Sequence, residues 1–301
     1  MKATDIFLAI LVAFIWGLNF VVIKIGLDSF PPILFSALRF TCAAFPAVIF
    51  VSRGNIKWRW IISIGIVLGI IMFSLLFIGM ANGISAGLSS IVLQIQAVFT
   101  VVLTAILLRD PPNKFQKIGI LVAFAGIGIL AIDQYETSSF KGFILIVSSG
   151  FAWAVSNIIM KRCGNINMFR LMIWSSLIPP IPLIIISLLF EKNHIQALSS
   201  ISLTGYGSIL YTGLLSTVFA FSIWGKLLQK YSPNEIAPFS LLVPIFGIIC
   251  SATILTENLS YPEIIASIIS IVGLSIIVLG RNCSKLSANN NIKTISPNLK
   301  T

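Results

Sequence analysis

The sequence predicts an all-α, polytopic membrane protein of ten transmembrane helices arranged as two inverted five-helix repeats. Three observations carry this: an apolar surplus too large for a water-facing globule, basic residues that alternate along the chain, and self-similarity between its halves. Of 301 residues, 57% are hydrophobic, and 20 basic and 9 acidic residues are the only charges, where a soluble chain of this length carries about 75. With a mean hydropathy of +1.02, there is too little polar surface to cover the apolar remainder.

A span needs about 20 apolar residues, and apolar stretches alternate with polar breaks to give ten. The first, 6–26, follows Met1-Lys2 but is not a signal peptide: it is too long, contains Trp16, Asn19 and Lys24, and lacks a small-x-small cleavage site. The second, 32–52, opens after Pro31 and holds Arg39. The third and fourth are 60–81 and 86–108. The fifth, 118–133, is the shortest and is carried by GILVAFAGIGIL. Five more follow at 142–160, 171–190, 205–228, 237–256 and 262–280.

Charge placement tests the layout independently, because Lys and Arg accumulate in short cytoplasmic loops. With the N-terminus inside, 16 of the 20 basic residues fall on the cytoplasmic side: Lys2, the groups Arg53–Arg59, Arg109–Lys117, Lys161–Arg170 and Lys226–Lys230, and the tail from Arg281. Lys141 and Lys192 fall outside, with Asp28, Asp133, Glu136, Glu191, Glu257 and Glu263, while Lys24 and Arg39 lie within spans. Both termini are therefore expected in the cytoplasm. This placement also explains the formal net charge of +11 without a nucleic-acid partner. The partners implied are the lipid bilayer and a small-molecule substrate, with no cofactor.

The halves resemble each other. Phe14-x-Trp16 with Lys24 recurs as Phe151-x-Trp153 with Lys161, 137 residues on, and Asn19 aligns with Ser156, next to Asn157. LLRDPPNKFQKIGILVAFAGIGIL (107–130) resembles ILTENLSYPEIIASIISIVGLSII (254–277), matching Asp110 to Glu257 and Gly126 to Gly273 at an offset of 147. The units are 1–133 and 142–280, followed by a tail, 281–301, that lacks apolar period and reads as disordered. An odd number of spans per unit inverts the second copy, as in secondary transporters whose central site opens alternately to each face.

Ionisable groups at membrane depth mark functional sites. Lys24 and Arg39 are the two here: either holds the carboxylate of an amino-acid-like substrate, or Lys24 snorkels to the interface and Arg39 pairs with Asp28 or helix-end carbonyls. Gln94 and Gln96 lie mid-span about 200° apart by α-helical period, so they do not both face one cavity squarely; one ties helices together, and hydrogen-bonding glue and substrate recognition stand as equal readings of the pair. Asn19 and Asn157 occupy nearly equivalent places and line a shared pathway, with Trp16 and Trp153 as symmetric aromatics that pack or line it. Gly65, Gly69, Gly79, Gly83 and Gly87 allow close helix approach. Pro46, Pro179, Pro180, Pro182, Pro238 and Pro244 break or kink spans, with Pro244 bordering the cavity.

Other classes lack the residues they need. The acids lie at termini, loops and span ends, so none serves as a mid-membrane proton relay; transport is by facilitated diffusion or exchange, or couples to protons through a group not identified in the sequence. An intramembrane enzyme needs an acid, base, nucleophile or metal ligand in one place, and no span holds a histidine. His194 reads as a solvated loop residue, and Cys42, Cys163, Cys250 and Cys283 have no metal or disulfide spacing. A channel does not account for inverted repeats.

WGLNFVVIKIGL (16–27), PPILFSALRF (31–40), GISAGLSSIVLQIQAVFT (83–100) and APFSLLVPIFGI (237–248) resemble the EamA-type drug/metabolite transporter superfamily, and within it bacterial O-acetylserine/cysteine exporters. The resemblance covers about residues 5–280. It implies an inner-membrane exporter of O-acetylserine, cysteine or related metabolites, with its cavity between the repeats. One departure is Arg109-Asp110 at the end of the fourth span, where members often show Gly-Glu.

Overall fold

The computed structural model describes residues 1–109, 111–136, 139–164, 166–199, 201–231 and 239–295. Asp110, Pro238 and residues 296–301 lie outside them, as do the side chains of Glu136, Arg281, Cys283, Lys285 and Lys293. Among the described residues the fold is all-helical. Besides a short helix at His194–Ser199, its helices are α1 (Ala3–Leu27), α2 (Pro32–Phe50), α3 (Trp58–Ala81), α4 (Ala86–Leu108), α5 (Lys114–Glu136), α6 (Phe140–Arg162), α7 (Met168–Phe190), α8 (203–230), α9 (Leu242–Ile254) and α10 (Tyr261–Ile295). Nine are long and apolar enough to cross a membrane, while α9, with 13 residues, is shorter. Leu121, Ile132, Leu189 and Leu203 are among many large apolar side chains left exposed on the outside of the bundle, as a lipid solvent requires.

Several helices are broken near their middles, each for a local reason. α2 opens with Pro32 in its first turn, where a missing N–H costs nothing, and is interrupted at Phe45-Pro46 before a last turn, Ala47–Phe50. α7 stops at Ser175 and resumes at Pro180, the proline cluster having removed successive donors. Pro244 falls in the first turn of α9, after helical residues 239–240 and a turn at Leu241; having no N–H, it leaves the carbonyl of Ser240, four residues back, to another donor. α3 and α8 each contain a π-helical segment, Gly65–Met72 and Tyr211–Ala220, neither of which has a sequence signature.

Two expectations about element ends are corrected. α5 begins at Lys114, not near 118, because Asn113 and Gln116 cap it reciprocally: each accepts the other's backbone N–H, at 2.8 and 3.0 Å. The tail expected to be disordered from Arg281 is helical as far as Ile295. No Gly or Pro falls between 281 and 295, and an established helix extends at little cost.

The packing is reciprocal. α1 packs on α9 as α6 packs on α4, and α5 packs on α10. Within the last pair, a Cβ on Gly126 would fall 2.8 Å from the Ala266 carbonyl oxygen, and one on Gly273 2.9 Å from that of Gly119. Shifted by 147 residues, each contact becomes the other. Gly65, Gly69, Gly79 and Gly87 also meet neighbouring helices, but Gly83 does not belong with them: at φ +99° it makes the turn between α3 and α4.

The same offset relates two strained residues. Arg109 (φ 54°) and Thr256 (φ 53°) each sit in the left-handed region just beyond α4 and α9, so the departure at Arg109 places a bulky residue where glycine is preferred. Thr256 is β-branched and the less suited of the two. The left-handed region costs a non-glycine residue about 1–2 kcal/mol, partly offset in a replacement by glycine's greater entropy loss. Thr256→Gly is therefore expected to stabilise the protein by about 1 kcal/mol, read as a higher unfolding midpoint in detergent; an unchanged or lower midpoint would contradict the strain.

Candidate functional site

Between α1–α4 and α6–α9 lies a cavity of about 560 Å³. Its walls are mainly aromatic and thioether: Trp16, Phe20, Phe73, Trp153, Phe221 and Trp224, with Met72, Met160, Met168 and Met172. Set into this apolar wall are Asn19, Arg39, Gln94, Gln96 and Asn157. Seven of the nine residues singled out in the sequence are thus brought to one space.

Arg39 is 1% exposed, in α2. Its Nε and Nη2 both donate to Thr217 Oγ1, at 3.3 and 3.0 Å, and its Cζ lies 3.8 Å from the centre of the Phe73 ring. A desolvated cation over an aromatic face is stabilised by about 2 kcal/mol, far less than a buried charge loses on leaving water. Neither Asp28 nor helix-end carbonyls supply the difference, contrary to one expectation. Among the described residues the ion pair present is Lys230–Asp5 at 2.6 Å, and Arg39 Nη1 has no partner.

The two glutamines correct the helical-period argument. α4 is interrupted at Leu93–Gln94, where Gln94 N donates to Ile91 O, Gln96 N to Leu93 O and Ala97 N to Gln94 O at 2.9–3.1 Å. These i→i+3 bonds wind the chain at about 120° per residue, so positions two apart differ by about 120° rather than about 160° the short way round. Both amides therefore reach the cavity. Gln94 Nε2 donates to Ser240 O at 3.0 Å. Gln96 Oε1 accepts from Asn157 Nδ2 at 2.9 Å, and the same Nδ2 lies 3.1 Å from Thr100 Oγ1, a polar clasp between α4 and α6.

Trp16 both packs and lines: its Nε1 donates to Ser216 O at 3.2 Å, and its ring lies 4.9 Å from Phe221 and 5.2 Å from Trp224. Trp153 lines the wall opposite. The structure does not bring Lys24 or Pro244 to the cavity. Lys24 is half-buried in the last turn of α1, a turn beyond Phe20, and Val243 lines where Pro244 was expected. Lys161, the repeat counterpart of Lys24, does line it. Thr217 and the methionine wall had no distinguishing pattern in the sequence.

The cavity reaches the end of the bundle that holds Lys161, Met168 and Trp224. The opposite end is fastened by two glutamates. Glu191, just past α7, accepts from the backbone N–H groups of Ile33 and Leu34 at 2.7 and 3.0 Å, opening α2. Glu257, past α9, accepts from those of Ala86 and Gly87 at 3.0 and 3.1 Å, opening α4. Each carboxylate satisfies orphan donors at the positive end of a helix. His194 is half-buried here rather than a free loop residue, its Nε2 2.9 Å from Ser187 Oγ, which donates to Glu191 at 2.6 Å.

A model of the EamA-like transporter family matches the chain twice, over residues 4–132 and 140–279. The chain belongs to that family. It is 38% identical over 288 residues to a probable amino-acid metabolite efflux pump of Salmonella typhimurium, spanning 93% of this chain and 96% of that protein. Its identity to a probable amino-acid metabolite efflux pump of Escherichia coli is 36%, with the same coverage. An uncharacterized transporter of Archaeoglobus fulgidus is 29% identical over 281 residues. A crystal structure of a protein 15% identical superposes with a TM-score of 0.65, covering 93% of this chain and 98% of that one, and shares the fold. The protein is thus a multi-pass member of a transporter family.

The amide clasp within this EamA-like bundle is open to measurement. Interhelical polar contacts in a membrane are worth about 0.6–2 kcal/mol. Asn157→Ala and Gln96→Ala are each expected to lower stability by that order, and the double variant by less than the sum, in a double-mutant cycle on the purified protein. Additive losses would mean that the two amides do not act together.

Proposed function

We propose that this protein exports small amino-acid metabolites, O-acetylserine and cysteine among them, from the cytoplasm by alternating access. The observation that carries the reading is Arg39: a buried guanidinium at the cavity, with no acid beside it among the described residues, is a receptor for a substrate carboxylate. In the same reading Asn19, Gln94, Gln96 and Asn157 meet the rest of the substrate against the aromatic and methionine wall. The printed descriptions of the Salmonella and Escherichia relatives favour amino-acid metabolites and efflux.

The carrier mechanism rests on symmetry. The family model matching twice, the reciprocal α5–α10 contacts and the two left-handed residues 147 apart all favour ten spans in two inverted repeats, with α9 as the short ninth. The basic residues favour both termini in the cytoplasm of an inner-membrane protein. The open end, with Lys161, then faces the cytoplasm, and the glutamate-fastened end faces out. Inversion puts Lys24 at the closed end as its counterpart Lys161 stands at the open one, so the two lysines exchange places at the cavity mouth when the carrier turns over. A cavity without a carboxylate among its described lining residues favours facilitated diffusion or exchange.

Efflux from cells overexpressing the protein tests the substrate, comparing thiol and O-acetyl amino acids with aromatic and branched ones. Efflux of the first group, lowered at least about tenfold by Arg39→Ala at unchanged membrane abundance, is the expected result. Failure to export any amino-acid metabolite would sink the reading. The mechanism has its own test: Glu191→Ala with Glu257→Ala is expected to raise outside labelling of a cysteine at Lys24 and lower inside labelling of one at Lys161. Labelling that stays constant at both sites would argue against alternating access through these contacts.

A further inference from the structure

We propose that Thr217 is a positioning residue for substrate recognition, presenting one edge of the Arg39 guanidinium to a carboxylate while itself staying out of contact with substrate; the inference rests on Arg39 being the carboxylate receptor. A hydroxyl has one hydrogen to donate and two lone pairs to accept with. Thr217 Oγ1 donates to the carbonyl oxygen of Thr212 at 2.8 Å. Its remaining capacity is acceptance, and Arg39 takes it twice, through Nε and Nη2. The guanidinium is thereby held along its Nε/Nη2 side, with the Phe73 ring against one face. What remains is the end-on Nη1/Nη2 edge, and Nη1 is the atom without a partner. Two parallel N–H groups on that edge match the two oxygens of a planar carboxylate.

The geometry depends on the π-helical segment Tyr211–Ala220. In ordinary helical turns here a hydroxyl bonds to the carbonyl four residues back, as Thr41 does to Ala37 and Ser208 to Thr204. Thr217 instead reaches five residues back, to Thr212. Such segments recur at functional sites. Its counterpart in the other half, Gly65–Met72, reads GIVLGIIM and carries no hydroxyl. The scaffold is duplicated but the arginine support is not, so the bundle's symmetry is broken where substrate charge would bind. Thr217 is 4% exposed and is absent from the lining of the central cavity, whereas Ser216 beside it lines that cavity.

The test uses the full-length protein in proteoliposomes, with an exported amino acid and its carboxamide, which keeps the amine and side chain but not the charge. Thr217→Val preserves shape and removes the hydroxyl. It is expected to raise KM for the acid about tenfold, leave the maximal rate within about twofold and leave transport of the carboxamide unchanged. Thr217→Ser is expected to restore the acid's KM to within about twofold. Equal losses for acid and carboxamide would mark Thr217 as structural, and an unchanged KM in the valine variant would likewise overturn the proposal. Arg39→Ala distinguishes the two levels. If it too leaves acid and carboxamide unaffected, the carboxylate-receptor reading falls; if it raises the acid's KM while Thr217→Val does not, only the positioning role falls.

Discussion

A positive charge held out of water, with no negative one beside it among the described residues, governs the interior of this protein. Burying Arg39 costs free energy that Phe73 and a single threonine hydroxyl return only in part. A membrane bundle has few ways to satisfy such a group, because neither lipid nor its apolar helices offer acceptors. The aromatic ring and the hydroxyl set against the guanidinium follow from that one demand. So does the choice of arginine, whose planar fork can be partnered along one edge and still present another.

Around this centre several helices are irregular where they face one another. The turn at Leu93–Gln94 is buried, the gap in α7 at its prolines is largely so, and the π-helical stretches of α3 and α8 each turn a buried face inward. Irregular backbone at membrane depth is tolerated where protein or a cavity supplies its partners. Here it also sets direction: the turn in α4 is what allows Gln94 and Gln96 to look into one space. Close helix approach is left to glycines elsewhere, above all in the α5–α10 pair, which lies apart from the cavity.

Much of this was legible in the residues. Hydropathy located the nine long spans to within a few positions, because a lipid solvent leaves a strong signal per residue. Polar residues within spans were a sound guide to the cavity for the same reason, and Asn19, Arg39, Gln94, Gln96 and Asn157 all reach it. One misreading comes from reliance on ideal α-helix where the backbone departs from it. Gln94 and Gln96 are separated by an α-helical period that the local turn does not keep. Thr217 could not be found at all, since an i−5 hydroxyl contact exists only in a π-helical turn that no residue pattern announces. Lys24 is singled out as a charge within a span, and membership of a span does not say where along its axis a cavity ends.

The two glutamates at the closed end have one further property. Both bind peptide N–H groups, not side chains. Any residue other than proline at positions 33, 34, 86 or 87 supplies the same donor. Half of each contact is therefore invisible to comparison of residue pairs: across related chains the acid would persist while its partner positions drift without compensating change. Covariation would leave this end of the molecule looking unfastened, and a proline arriving at one of those four backbone positions would release it without touching either glutamate.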